Sequence, residues 1–209
     1  MDYKKHEKNL YFPKTTPSIV AVPPMRFIAI DGEGDPNGED FALRTAALYS
    51  LSYAVKMSYR SGSPPEGYYE YTVYPLEGVW DLIDRSVPHT VKSNLKYTIM
   101  IRQPEFLTPE LFERFRAETA RKKPNPYLSA ARFAEIAEGL CCQMLHIGSY
   151  DDEPASFAAM EAYCRENGWR RASLTHREIY LSDPRKTAPD KLQTVLRFRV
   201  APAGPFRHK

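Results

Sequence analysis

The chain has 209 residues, of which 43% are hydrophobic and 26% charged, and its formal net charge is +3. This length is enough to bury the core of one large domain or two small ones, and the composition is that of a globular protein. The weak net charge argues against direct nucleic-acid binding, and no apolar stretch is long enough to span a membrane. Aromatic residues make up 12% of the chain, so some rings are candidates for a cavity wall. The alternative for any single ring is a place on a sheet surface.

The three cysteines, Cys141, Cys142 and Cys164, lie inside predicted regular elements. Their odd number and position predict buried, reduced thiols of a cytoplasmic protein. Neither a Cys-x-x-Cys motif nor a paired histidine spacing accompanies them, so a metal is not expected. No other cofactor is expected either.

The first half of the chain predicts an arm followed by alternating elements. Residues 1–24 are polar and then rich in proline, which is typical of an N-terminal arm leading into a domain. A strand is predicted over 26–30, and a helix over 39–56 from apolar residues at helical spacing. Two further strands are predicted over 68–74 and 95–101.

The second half repeats this order after an additional helix. Thr108 and Pro109 begin a predicted helix over 108–122. Strand material over 133–147 is broken near Gly139. A helix over 154–166 is predicted to end at Asn167-Gly168, a favourable C-terminal cap. The last predicted strands cover 178–181 and 194–200.

This element order predicts an α+β fold of two strand–helix–strand–strand halves. The halves cover about 25–105 and 131–201 and are joined by the helix over 108–122, within a domain spanning 25–203. We expect pseudo-twofold symmetry and a ligand cleft between the halves. The interpretation depends on element order, because the residue-level similarity of the halves is weak.

Two polar segments invite functional assignments that their spacing does not support. The glycine-rich turn over 31–38 has the wrong spacing for a dinucleotide fingerprint, and Arg44 stands where a calcium loop needs a glutamate. His146 and three following acids suggest a metal site, but Asp151, Asp152 and Glu153 more simply cap the next helix. The chain also lacks the Gly-x-Ser-x-Gly motif of a serine nucleophile.

Glu178 lies inside an alternating apolar strand that ends at Ser-Asp-Pro. Because side chains alternate along a strand, Glu178 and Tyr180 share one face, and Ile179 and Leu181 share the other. A carboxylate beside an aromatic ring is a candidate ligand site. The alternative is a structural carboxylate in a salt bridge with one of three arginines: Arg177, Arg197 or Arg199.

Several aromatic residues are candidate walls of the same site. Trp80 follows a glycine turn, and Tyr97 comes from the neighbouring strand. An anchoring role in the core is the alternative for both. Tyr150 leaves its strand at the predicted rim. The other candidate ligand-binding residues are Tyr71, Phe106 and Tyr53, although the one-turn spacing of Tyr53 from Tyr49 favours the core.

Residues 145–157 and 176–197 resemble the GyrI-like small-molecule-binding family, whose fold is shared by effector-binding domains of multidrug-sensing regulators. Residues 75–80 and 100–106 add to the resemblance. It implies the duplicated fold above and an aromatic pocket with a glutamate at its base, which Glu178 matches. The short segment before the domain favours a stand-alone module over a transcription regulator.

Within that family, the chain looks most similar to the cyclopropanoid cyclopropyl hydrolases, through Trp80, Tyr150, Glu178 and Tyr180. The resemblance implies a cytoplasmic xenobiotic-detoxifying hydrolase that adds water to strained DNA-alkylating molecules inside an aromatic cage. Thr175 stands where a second histidine is expected, and Tyr97 where a tryptophan is expected.

Whether the chain is an enzyme stays open at this point. The alternative function is a module that binds hydrophobic or cationic drugs without turnover. In both cases the expected partner is a hydrophobic aromatic small molecule. A gyrase interaction is possible for the family, and nothing in the charge pattern supports it.

Overall fold

The computed structural model describes residues 1–62 and 64–204, and within them it contains five α-helices and nine β-strands. The helices are α1 (Tyr3–His6), α2 (Lys8–Tyr11), α3 (Glu39–Lys56), α4 (Pro109–Lys122) and α5 (Glu153–Glu166). The strands are β1 (Ser18–Val22), β2 (Met25–Glu33), β3 (Leu76–Leu82), β4 (Leu95–Gln103), β5 (Arg132–Ile136), β6 (Gly139–Ile147), β7 (Trp169–Arg171), β8 (His176–Tyr180) and β9 (Gln193–Pro202). None of the described helices combines the length and the apolar character that crossing a membrane requires.

The chain divides into two compact units. The first comprises Met1–Tyr3 and Pro24–Ile136, and the second comprises Lys4–Pro23 and the chain from Ala137 onward. Strand β5 pairs with β2 in the first unit. Residues 132–136 therefore belong to that unit, although the sequence analysis places them in the second half.

The first unit is an antiparallel sheet with the strand order β3-β4-β2-β5, and α3 packs against β2 and β4. Its core is aliphatic because strands and helix turn their apolar residues toward each other. Fully buried members of that core are Ile28, Ile30, Leu48, Leu51, Ile99 and Ile101.

The second unit is an antiparallel sheet with the order β1-β6-β9-β8, and the short strand β7 pairs with another part of β9. Helix α5 packs on β6 and β7. The core beneath it is sulfur-rich and aliphatic, with these buried residues: Cys142, Met144, Met160, Cys164, Leu196, Phe198 and Val200.

The two units repeat the same plan, as the sequence predicts. Each consists of a strand, a helix and two strands: β2, α3, β3 and β4 in the first, and β6, α5, β8 and β9 in the second. The three strands also lie side by side in the same order, β3-β4-β2 in the first unit and β8-β9-β6 in the second. An additional edge strand pairs with β2 in the first unit, where it is β5, and with β6 in the second, where it is β1. The α+β duplicated fold class is therefore confirmed.

The predicted helices are confirmed almost to the residue. Helix α3 has the predicted bounds, and α4 begins after Thr108, whose side chain accepts a hydrogen bond from the Leu111 backbone N–H. Helix α5 is followed by Gly168 with φ of +74°, a left-handed conformation that favours glycine.

The predicted strand over 68–74 is wrong. The structure has no ladder there within the described residues, and the strand of this region is β3, which begins after Pro75. The aromatic residues of this segment, which favour a strand in the sequence, pack against each other instead. Tyr71 and Tyr74 are buried, and their ring centroids lie 6.4 Å apart. Side-chain packing thus takes the place of backbone pairing in this segment.

The predicted N-terminal arm contains regular structure. Strand β1 pairs with β6 from Ser18 opposite Gln143 to Val22 opposite Gly139. Pro17 and Pro23 flank this strand, and prolines at both ends suit an edge strand because proline cannot donate to a ladder. The same prolines made the segment resemble an arm in the sequence.

The ring of Tyr97 lies directly over Gly32, so a larger residue at position 32 is expected to destabilise the protein. Gly32 pairs with Tyr97 across β2 and β4, and an added Cβ would lie 2.6 Å from Tyr97 Cζ and 2.7 Å from its hydroxyl oxygen. We expect Gly32→Ala to lower the free energy of unfolding by about 1–3 kcal/mol through overpacking. Thermal unfolding measures this change.

Tyr97→Ala supplies the control background. Removing the ring removes the clash, so we expect Gly32→Ala to have little effect in the Tyr97→Ala protein. An equal loss in both backgrounds would show that the ring is not what restricts position 32.

Candidate functional site

Strand β8 places three polar side chains on one face of the second unit. His176, Glu178 and Tyr180 alternate along it. Glu178 lies opposite Leu196 of β9, which belongs to the core covered by α5. Glu178 is therefore directed to the helix-covered side of the sheet and is only 9% exposed.

Both oxygens of Glu178 have hydrogen-bond partners from its own strand. His176 Nε2 lies 2.7 Å from Oε1, and the Tyr180 hydroxyl donates to Oε2 at 2.7 Å. The predicted common face of Glu178 and Tyr180 is thereby confirmed. Charge-assisted hydrogen bonds of this length fix the orientation of a carboxylate.

A second acid, Glu153, lies against Glu178. It is the first residue of α5 and is 6% exposed. Burial raises the pKa of the Glu153 carboxyl well above its ordinary value, and the negative charge of Glu178 and a hydrogen bond to it add to the shift. Two carboxyl groups in contact cannot both be ionised. Glu153 therefore retains its proton at neutral pH.

Tyr150 supplies the exposed edge of the site. Its ring lies 6.0 Å from the Tyr180 ring at 84°, an edge-to-face arrangement, and it is 39% exposed. Burial of the hydroxyl, followed by the charges of Glu178 and Glu153, raises the pKa of Tyr150 to about 12. The hydroxyl therefore stays protonated at neutral pH and is available as a hydrogen-bond donor.

The salt-bridge alternative for Glu178 is wrong. Arg177 Nε lies 3.1 Å from Glu138 Oε2, and Arg197 Nη1 lies 3.0 Å from Glu138 Oε1. Arg177 and Arg197 are paired across β8 and β9, on the face opposite Glu178. The third candidate, Arg199, is exposed.

The acidic segment after His146 does not form a metal site in the structure. His146 Nδ1 lies 2.8 Å from Ser156 Oγ and Nε2 lies 2.9 Å from the Ser149 carbonyl, so both nitrogens are occupied by protein partners. No group of three or more candidate metal ligands occurs in residues 1–62 and 64–204. Asp152 accepts from Ser149 Oγ at 2.8 Å and its side chain makes no capping bond, unlike the predicted cap.

The first unit brings together Trp80, Tyr97 and a ring that the sequence analysis did not select, Phe41. The Tyr97 ring lies 5.2 Å from Trp80 and 5.1 Å from Phe41, and Phe41 lies 6.1 Å from Trp80. Tyr97 is 2% exposed, and burial raises the pKa of its hydroxyl.

The remaining aromatic candidates lie elsewhere in the first unit. Tyr71 and Phe106 are buried with their centroids 6.1 Å apart, in a cluster that also contains Tyr68, Tyr69 and Tyr74. Burial raises the pKa of Tyr71. Tyr53 is 52% exposed on α3, so the spacing that favoured a core position for it was misleading.

Comparison with known proteins identifies the family. The model of the GyrI-like small-molecule-binding domain matches residues 15–201. The chain belongs to this family. A comparison with curated proteins gives no match.

Solved structures similar to this chain align with nearly all of it. A conserved uncharacterised protein from Listeria innocua is 36% identical, with a TM-score of 0.91 over 96% of this chain and 100% of that one. A structure described as a hydrolase from Listeria innocua is also 36% identical, with a TM-score of 0.88 over 96% and 100%. The C-terminal domain of EcmrR is 12% identical with a TM-score of 0.54, over 90% of this chain and 98% of that one, and shows a shared fold.

Sequence reasoning missed two members of the candidate site, Glu153 and His176. Glu153 looked like a helix-capping acid, because only the tertiary structure shows that it is buried. His176 could have been selected from the same alternation that placed Glu178 and Tyr180 on one face.

The shared proton of Glu153 and Glu178 predicts a pH-dependent stability difference. Because the pKa of Glu153 is raised in the folded protein, the unfolded chain releases a proton that the folded chain keeps. The free energy of unfolding therefore falls as pH rises above the unfolded pKa of 4.5. Glu153→Gln removes this titration and keeps a donor for Glu178.

We expect Glu153→Gln to be more stable than the wild type at pH 8, with a smaller difference at pH 5, in denaturant unfolding at both pH values. Each kcal/mol corresponds to about 2–4 °C in Tm for a chain of this size. Glu166→Gln, an exposed acid at the end of α5, serves as the control and should follow the wild type. Parallel pH dependence of Glu153→Gln and wild type would contradict the shared proton.

Proposed function

We propose that this GyrI-like protein is a hydrolase for flat, hydrophobic xenobiotics. It would add water to an electrophilic or strained carbon, such as the cyclopropane of DNA-alkylating molecules. The observation that carries the proposal is the Glu178 carboxylate, buried, hydrogen-bonded by His176 and Tyr180, and in contact with Glu153. The relative at 36% identity that is described as a hydrolase supports it.

In this mechanism Glu178 is the general base. It takes a proton from water while the water oxygen bonds to the cyclopropane carbon. The strained carbon–carbon bond breaks, and its electron pair moves into the conjugated carbonyl, whose oxygen becomes an enolate or phenolate. That oxygen then takes a proton from solvent, and Glu178 releases to solvent the proton that it accepted from the attacking water. A carboxylate has about four lone-pair positions, so Glu178 can hold the water while keeping its three existing partners, His176, Tyr180 and Glu153.

The tyrosines contribute stacking and charge stabilisation. Tyr150 and Tyr180 form an edge-to-face pair next to Glu178 and offer flat surfaces for an aromatic ligand. Because the pKa of Tyr150 is about 12, its hydroxyl can donate a hydrogen bond to the oxygen on which charge develops. Release of ring strain in the substrate provides driving force, so the site needs to supply only a modest rate acceleration.

The other aromatic candidates remain proposed ligand-contacting residues. Trp80 and Tyr97 are supported by their tight ring cluster with Phe41. Tyr71 and Phe106 are supported only by their sequence positions, and Tyr53 by its exposed ring on α3.

A second candidate function is binding without turnover. The ionised Glu178 beside two tyrosine rings also suits a lipophilic cation, through charge pairing and cation–π contact. Equilibrium binding to aromatic cations and to neutral electrophiles, with chromatographic analysis of the ligand afterwards, separates the two functions. Saturable binding that leaves every ligand chemically unchanged would favour a sequestering module.

Glu178→Gln tests the catalytic proposal. The amide keeps the shape and polarity of the side chain but cannot take a proton from water. We expect turnover of a cyclopropane-bearing alkylator to fall by about 10²–10⁴-fold, the usual contribution of a general base. The measurement is the rate of loss of the alkylator and appearance of the ring-opened alcohol.

Glu166→Gln, which changes an exposed acid on α5, is the matched control and should turn over substrate at the wild-type rate. Equal rates for Glu178→Gln and wild type would remove Glu178 from the mechanism.

A further inference from the structure

The position of Tyr150 depends on the short segment that joins β6 to α5. This segment covers residues 148–152, and Tyr150 begins the 3₁₀ turn within it. The Tyr150 ring is 39% exposed and meets the Tyr180 ring edge-to-face. A ring that lies partly in solvent is placed mainly through its backbone. The contacts that fix the segment therefore also fix the Tyr150 hydroxyl.

His146 is a buried side chain that holds this segment. It is the penultimate residue of β6, is 4% exposed, and pairs with β9. Its Nε2 lies 2.9 Å from the carbonyl oxygen of Ser149, the residue before Tyr150, and its Nδ1 lies 2.8 Å from Ser156 Oγ on α5. One imidazole thus connects the sheet, the segment and the helix.

The two contacts determine the tautomer of the His146 ring. A carbonyl oxygen can only accept a hydrogen bond, so Nε2 carries a hydrogen and donates it to Ser149. In the neutral ring Nδ1 is then an acceptor, and the Ser156 hydroxyl donates to it. Both nitrogens are satisfied in the neutral form, so no proton has to move for His146 to hold the segment.

Two further hydrogen bonds restrain the segment on either side of Tyr150. The Gly148 N–H donates to the Leu192 carbonyl at 3.0 Å, and Ser149 Oγ donates to Asp152 Oδ2 at 2.8 Å. The backbone before and after Tyr150 is thus tied down, with the His146 ring beneath its centre. The Tyr150 side chain has a defined starting point from which it reaches the candidate site.

We propose that His146 is a positioning residue of the proposed hydrolase: through Ser149 it holds the Tyr150 hydroxyl where it can donate to the substrate oxygen that becomes negative. This inference rests on the proposed function. His146 acts through the segment and takes no part in proton transfer. A misplaced Tyr150 still leaves Tyr180 for stacking, but the hydrogen bond that strengthens as charge develops is lost. The expected defect is therefore in kcat and not in KM.

A pair of amide variants tests the bond between His146 and Ser149. The His146→Gln side chain is long enough to donate to the Ser149 carbonyl, whereas that of His146→Asn is one carbon shorter and ends near the former Nδ1. With the cyclopropane-bearing alkylator as substrate, we expect kcat of His146→Asn to fall by about 10–100-fold, because misplacing a catalytic group costs up to about 10²-fold. KM should change by less than about threefold. His146→Gln and His89→Asn, a change at an exposed histidine, should keep close to the wild-type kcat.

A double-mutant cycle distinguishes positioning from general support of the fold. The Tyr150→Phe protein lacks the hydroxyl, so we expect His146→Asn to lower kcat by less than about twofold in that background. A merely structural role would lower kcat equally in both backgrounds. Should circular dichroism show that His146→Asn does not fold, Ser156→Ala takes its place in the cycle with the same expectation, because it removes the donor to Nδ1 and frees the ring.

A titration without substrate measures the position of the Tyr150 hydroxyl directly. In the wild type, burial and then the charges of Glu178 and Glu153 raise the pKa of Tyr150 to about 12, and Asp183 adds to the shift. We expect the pKa to fall toward its ordinary value of 10.0 in His146→Asn, because the hydroxyl leaves the buried acids, and to stay raised in His146→Gln. The measurement is NMR of ¹³Cζ-labelled tyrosine, with the resonance assigned by Tyr150→Phe.

The outcomes distinguish this inference from the function on which it rests. A loss of kcat in His146→Asn that disappears in the Tyr150→Phe background, together with a lowered Tyr150 pKa, supports the positioning role. Wild-type kcat or an unchanged Tyr150 pKa in folded His146→Asn, an equal loss in both backgrounds, or a His146→Gln protein as impaired as His146→Asn overturns it, while Glu178 can remain the base. Absence of turnover in the wild type, or unchanged turnover in Glu178→Gln, overturns the hydrolase proposal itself and the catalytic role of His146 with it.

Discussion

The burial of one carboxylate, Glu178, sets the requirements for everything around it. An ionised carboxyl taken out of water costs several kcal/mol unless hydrogen bonds and favourable charges compensate for it. Here the compensation comes from His176 and Tyr180 of the same strand, and the second acid gives up its own charge by keeping a proton. Strand β8 must therefore direct three alternate side chains, those of His176, Glu178 and Tyr180, to the side of the sheet that α5 covers, and α5 must begin with a glutamate. A slip of one residue in the pairing of β8 with β9 would turn all of these groups to the opposite face.

The opposite face of β8 explains why such a slip is disfavoured. Glu138 bridges the buried guanidinium groups of Arg177 and Arg197, and Arg197 also donates to the Leu10 carbonyl at 2.9 Å and to Gln143 Oε1 at 3.0 Å. Exchanging the two faces of β8 would move Arg177 beneath α5 and away from Glu138. The buried ion pair between them would then be broken, which is strongly destabilising. The network also ties the residues before β1 to the sheet. It provides a rigid support beneath the candidate site, which precise chemistry requires.

The sequence predicted what depends on local pattern and missed what depends on tertiary packing. Helices α3, α4 and α5 follow from apolar spacing, the Thr108-Pro109 start and the Gly168 end, and the duplicated order follows from them. The common face of Glu178 and Tyr180 follows from strand alternation alone. The burial of Glu153 and the ring packing that replaces a strand around Tyr71 and Tyr74 depend on neighbours distant in sequence. No local signal separates such an acid from an ordinary helix cap.

The second unit combines the family fold with a specific arrangement of acids. The family match shows a small-molecule-binding domain, and the structure places two acids, a histidine and two tyrosines together in one candidate site. The central feature of this arrangement is the single proton that Glu153 and Glu178 share. The direct measurement is a pH titration by NMR of protein carrying ¹³C-labelled glutamate carboxyl groups, with the two resonances assigned from single substitutions. We expect one of the two carboxyl groups to remain protonated at neutral pH, and the two resonances to shift together when it titrates. Two independently titrating carboxyl groups, both fully ionised at neutral pH, would contradict the account.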